Sequence, residues 1–166
     1  MDKLDRLAER VGAVLAARGL TLAVAESCTG GLLAAAITSV AGSSRWFDRG
    51  FVCYSNAAKE ELLGVSHRTL MNEGSVSEAA VRELALGVLE RSQASLSVAV
   101  SGVAGPGGGS EQKPLGTVWF AWAARARRIR TLCARFEGDR TEIRCRSVAT
   151  ALEGLIDLAE GAGSSG

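Results

Sequence analysis

A chain of 166 residues with 47% hydrophobic content has the size of one domain and enough apolar side chains for one packed core. Its 19 lysines and arginines against 18 aspartates and glutamates leave no excess field to hold a polyanion, so nucleic acid is not an expected partner. No stretch approaches the roughly 18 uninterrupted apolar residues of a membrane-crossing helix. The charged opening at residues 1–6 lacks the apolar run of a secretory signal, so a soluble, cytoplasmic chain with no membrane partner is expected.

Leu4, Leu7, Ala8, Val11 and Leu15 recur at helical spacing, and Gly19 stands where a left-handed residue would close the helix. Residues 21–25 form a short apolar run suited to a strand buried on both faces. A second helix should follow Thr29, carry Leu32, Leu33, Ala36, Ile37 and Val40, and end near Gly42. Residues 46–54 read as a strand, and residues 56–63 as a short helix stopped by Gly64. The polar stretch 64–68, with the chain's single histidine, His67, reads as a surface loop. Ser77 caps a helix whose stripe is Val81, Leu84, Ala85 and Val88.

Residues 95–100 form a strand that enters the glycine-rich segment 101–110. Two further strands, 116–124 and 129–136, read as an antiparallel hairpin joined by the basic turn 125–128. Asp139 and Glu142 have capping-box spacing ahead of a closing helix with Ile143, Cys145, Val148, Ala149, Leu152 and Ile156. Residues 161–166 have nothing to bury and read as a flexible tail behind a domain of residues 1–160. Helices alternating with strands, followed by a late hairpin, predict an α/β fold: a single-domain, layered α/β/α sandwich around a mixed parallel and antiparallel sheet. Ligands of open α/β sheets bind at the carboxyl ends of strands, which directs attention to the segments after Ala25, Tyr54 and Val100.

Cys28, Cys53, Cys133 and Cys145 match neither zinc-ligand nor CxxC spacing, so reduced, mostly buried thiols are expected and no metal site. One histidine is too few for a histidine-based metal cluster, and in a surface loop it makes a poor triad member. The first chemical segment is residues 25–31, AESCTGG, where a strand ends and a helix begins. Unpaired N–H groups and partial positive charge at a helix start stabilise an oxyanion or a phosphate, and Gly30 and Gly31 would let substrate approach. Ser27 there is either a nucleophile or, with Thr29, a plain helix cap. Cys28 is the rival nucleophile, without an evident histidine partner.

The second segment, residues 54–59, places Lys59 in the first turn of a helix. Desolvation and the positive helix end would lower its pKa and make it a usable base, although a solvated side chain is the plainer reading. The third segment, residues 101–110, is either a backbone cradle for a nucleotide or a flexible loop. It lacks the GxxxxGK[ST] order of a triphosphate-binding loop.

Together these segments resemble the CinA C-terminal domain family, the PncC-type nicotinamide mononucleotide amidases. The matching features are AESCTGG at 25–31, GSS at 42–44 with Trp46 and Phe47, Gly50-Phe51-Val52, Tyr54-Ser55-Asn56 with Lys59, SGVAGP at 101–106, GGS at 108–110, Lys113-Pro114 with Gly116-Thr117-Val118, and Gly138-Asp139-Arg140. The resemblance implies hydrolysis of the carboxamide of nicotinamide mononucleotide (NMN) to nicotinate mononucleotide and ammonia in pyridine nucleotide salvage, without a cofactor. Carried onto this chain, Ser27 attacks the amide carbon, Lys59 takes its proton and Tyr54 orients or relays. Thr29, Gly30, Gly31, Gly102, Ala104, Gly105 and Arg140 shape the nucleotide pocket. Many members carry a second, N-terminal domain that this sequence lacks, which implies a stand-alone enzyme, and a homo-oligomer is expected. The alternative function is a non-catalytic nucleotide-binding accessory module.

Overall fold

The structure is a computed structural model that describes residues 2–125 and 128–162. Helix α1 (Lys3–Arg18) starts at Asp2, whose carboxylate accepts from the Asp5 N–H, and closes at Gly19 in the left-handed conformation. Strand β1 (Leu22–Glu26) is buried throughout. Helix α2 (Leu32–Thr38) stops short of Gly42. The Thr38 and Ser39 hydroxyls donate to the carbonyls of Ala34 and Ala36, and a 3-10 turn (Ser43–Arg45) follows. Strand β2 (Phe47–Val52) leads into α3 (Asn56–Leu63), capped by the Ser55 hydroxyl and ended by Gly64.

The stretch read as a loop, 64–68, runs at its end into a short helix, α4 (His67–Asn72), capped by Ser66; six residues are too few to display a periodicity. Helix α5 (Glu78–Glu90) is capped by Ser77 as expected. Strands β3 (Leu96–Gly102), β4 (Thr117–Ala124) and β5 (Ile129–Arg135) precede α6 (Arg140–Ala162). Asp139 and Glu142 form the capping box at its start. Helix α6 takes in Gly161 and Ala162, assigned above to the tail; residues 163–166 and the hairpin turn's 126–127 lie outside the described residues.

The sheet order is β2-β1-β3-β4-β5. Strand β1 runs parallel to both neighbours, and β3-β4-β5 are antiparallel, which gives the expected mixed sheet. Alternation sorts its side chains by size. Leu22, Val24, Val98, Val100, Phe120 and Trp122 fill the layer beneath α1, α2 and α6. The other face presents alanines 23, 25, 99, 121 and 123, and α5 lies on these with Val81, Leu84, Ala85 and Val88. Small residues bring α5 close to the sheet, and the α3–α5 contact is equally close: a Cβ on Gly87 would lie 2.2 Å from the Leu63 carbonyl oxygen.

All four cysteines are free, but only Cys28 and Cys53 are buried. Cys133 is exposed because it lies on the edge strand β5, and Cys145 is half-buried on α6. Among the described residues, no helix is long and apolar enough to cross a membrane.

Candidate active site

Beyond β1 the chain enters a turn that keeps Ser27 in the sheet's register, its N–H donating to the Val100 carbonyl at 3.1 Å. Two side chains fix this turn from either side. Glu26, buried on the face opposite Ser27, accepts from the Thr29 hydroxyl at 2.6 Å and from the N–H groups of Leu33 and Ala34. It thereby caps α2, whose own N-cap residue, Gly31, has no side chain to do so. From α6, Arg144 donates to the carbonyls of Cys28 and Thr29 at 3.2 and 3.0 Å.

Lys59 reaches this turn from α3 and is only 1% exposed. Its Nζ lies 2.8 Å from the Tyr54 carbonyl, 3.0 Å from the Cys53 carbonyl and 3.1 Å from Ser27 Oγ. Burial drives its pKa below the ordinary 10.5, opposed by nearby Cys53 and Cys28. A neutral amine has two N–H bonds and one lone pair. Once the third proton is given up, with both remaining N–H groups held by the carbonyls, the lone pair would face the Ser27 hydroxyl, which is the arrangement a general base requires. The neighbouring thiol is a poor nucleophile, because burial pushes the Cys28 pKa up to about 11 and leaves almost no thiolate near neutrality.

These groups open into a cleft of about 170 Å³ at the carboxyl ends of β1 and β3. Ser27, Tyr54, Lys59, Gly102, Ala104 and Arg140 line it, as do Cys28, Ser75, Val76 and Ser101. Thr29, Gly30, Gly31 and Gly105 do not: Thr29 is wholly buried and turned onto Glu26, and a Cβ on Gly30 would meet Arg144. Gly105 lies behind the rim, where its carbonyl accepts from Arg140 at 2.6 Å. The second arm of the same guanidinium lies 3.3 Å from the Tyr54 hydroxyl, on a side chain that is 60% exposed. Tyr54 thus meets Lys59 through its backbone carbonyl, and its phenol belongs to the rim.

Sequence reasoning missed Glu26, Arg144, Ser75 and Ser101. Glu26 and Ser101 lay inside the quoted motifs without a role, and Arg144 lies one helical turn after Arg140. His67 is exposed and lies against Glu60, outside the cleft. Among the described residues, no group of three or more His, Cys, Asp or Glu is placed to hold a metal ion.

Fold and site define an α/β protein with a serine–lysine pair at the carboxyl ends of its parallel strands. The chain belongs to the CinA C-terminal domain family, whose model matches residues 4–159. It is similar to the nicotinamide-nucleotide amidohydrolase PncC of Enterobacter agglomerans, 54% identical over 151 residues that cover 91% of this chain and 92% of that one. The PncC of Escherichia coli is 51% identical over 154 residues, covering 93% of each chain. Among solved structures, the competence/damage inducible protein CihA from Agrobacterium tumefaciens matches with a TM-score of 0.93 at 47% identity, covering 95% of this chain and 96% of that chain.

Proposed function

We propose that this chain is a nicotinamide-nucleotide amidohydrolase that converts NMN and water to nicotinate mononucleotide and ammonia in NAD salvage, with Ser27 as nucleophile and Lys59 as base. The observation that carries the mechanism is the threefold placement of Lys59 Nζ between two carbonyls and the Ser27 hydroxyl. The activity is supported by near full-length similarity to the PncC amidohydrolases.

Ser27 Oγ attacks the carboxamide carbon while its proton passes to Lys59 Nζ. The resulting ammonium returns the proton to the departing nitrogen, which leaves as ammonia. Water then attacks the ester on Ser27, again giving its proton to Lys59, and the second collapse releases the carboxylate and restores the serine. A cleft of about 170 Å³ takes the pyridine carboxamide and leaves the ribose phosphate on the rim. There Tyr54 and Arg140 orient it, and Gly102 and Ala104 shape the wall. Thr29, Gly30, Gly31 and Gly105 act behind this surface, in holding its turns. The enzyme works in the cytoplasm as a homo-oligomer.

Purified protein should release ammonia from NMN, in chelator as in buffer. Ser27→Ala should lower kcat by roughly 10³-fold or more, while Cys28→Ala retains most activity. The reverse ranking refutes the nucleophile, metal-restorable loss in chelator refutes the mechanism, and a folded protein without turnover is a binding module.

A further inference from the structure

Ser101 is a cleft residue whose hydroxyl has no part in the mechanism above. It lies on β3, next to the nucleophile: the register Glu26↔Val100 continues to Ser27 and Ser101, because the Ser27 N–H donates to the Val100 carbonyl. Neighbouring strands are about 4.8 Å apart, and both side chains point to the α5 side of the sheet, two residues beyond Ala25 and Ala99. Ser101 is 1% exposed yet lines the cleft, and its hydroxyl donates to the Ser75 carbonyl at 2.8 Å.

The chain just before that acceptor is anchored. The Ser77 hydroxyl donates to the Gly74 carbonyl at 2.7 Å, and Lys113 Nζ donates to the carbonyl of Glu73. A serine hydroxyl has one proton and two lone pairs. With the proton given to Ser75, Ser101 offers the cleft an acceptor.

We propose that Ser101 is the specificity residue that reads the scissile group as an amide, its Oγ accepting an N–H of the substrate carboxamide beside Ser27. The assignment rests on the amidohydrolase reading above. An amide nitrogen has hydrogens to give, and a carboxylate has none. Once ammonia has left and water has added, an anionic oxygen of the product faces the lone pairs of Ser101. The hydroxyl can turn to meet it only by abandoning the half-buried Ser75 carbonyl, which costs a hydrogen bond. The same contact therefore holds the substrate and discharges the product.

The test is calorimetric binding of NMN and of nicotinate mononucleotide to Ser27→Ala protein, with and without a second change at Ser101. The single variant should prefer the amide by about tenfold, roughly one hydrogen bond's worth. Ser27→Ala/Ser101→Ala should bring the ratio close to one, and Ser101→Thr, which keeps the hydroxyl, should preserve it. Equal weakening of both ligands by Ser101→Ala would show a structural role and overturn the proposal. If that variant does not fold, product inhibition of the unaltered enzyme decides: an inhibition constant near the Kd of NMN for Ser27→Ala protein overturns the assignment, and one about tenfold higher supports it. An unchanged ratio in an enzyme that releases ammonia refutes Ser101 alone, whereas no ammonia release refutes the amidase reading as well.

Discussion

Under the proposed mechanism, Lys59 carries both the chemistry and its pH dependence on one buried side chain. Its pKa is lowered by burial, so the unfolded chain holds a proton that the folded protein has already lost over the interval between the lowered value and 10.5. Stability from this group is complete above 10.5 and falls away as the pH drops through the lowered folded value. Activity has the same sign. In the free enzyme, log(kcat/KM) should rise with pH as Lys59 loses its proton and then level off. Lys59→Arg should lose activity by roughly 10³-fold and should not be rescued at high pH, because arginine keeps its proton. Substantial activity with an unchanged pH profile in that variant would show that the residue binds substrate charge and that the base lies elsewhere.

Ser27 and Lys59 drew attention in the sequence because each follows a recognisable strand and no histidine was suitably placed to compete, and the family resemblance supplied their expected roles. Glu26 did not, since a lone glutamate after an apolar run looks like the first exposed residue of a turn. Its role depends on Gly31 leaving α2 without a side-chain cap, a relation visible only in three dimensions.

At the scale of elements, Lys59, the proposed base, is placed by one helix packed against another. The Lys59 helix, α3, approaches α5 so closely at Gly87 that any Cβ there meets the Leu63 carbonyl at 2.2 Å. Gly87→Ala must push α3 outward, although the residue lies outside the cleft. A displacement near 1 Å between nucleophile and base costs about 10²-fold in rate, so kcat should fall by that order while KM changes little. Overpacking should also cost about 1–3 kcal/mol in stability, read from denaturant unfolding. Unchanged kcat in a folded variant would mean that α3 does not hold the lysine in place. Element boundaries followed the clarity of their signals: capping serines and closing glycines marked α1, α3 and α5, whereas α4 was too short to show a stripe and α2 was cut short by hydroxyls that bond its own carbonyls.

For the molecule as a whole, the sheet order was the part the sequence could not supply. Apolar runs announce strands but carry no record of neighbours, so a mixed sheet was readable while β1's position between β2 and β3 was not. That position divides the proposed catalytic pair between unequal parts of the fold. The serine follows a central strand with partners on both sides, whereas the lysine follows β2, an edge strand bonded only to β1 and largely open to solvent. Edges fray at lower free energy than centres. The lysine side of the pair should therefore act as a fuse: on heating, catalytic competence should vanish while the interior around Trp122 is still ordered, and should return on cooling. Residual turnover and tryptophan fluorescence followed on one temperature ramp should show the loss of turnover first, with amide exchange at residues 47–52 outpacing that at 96–102. Coincident curves would mean that edge and centre open as one unit.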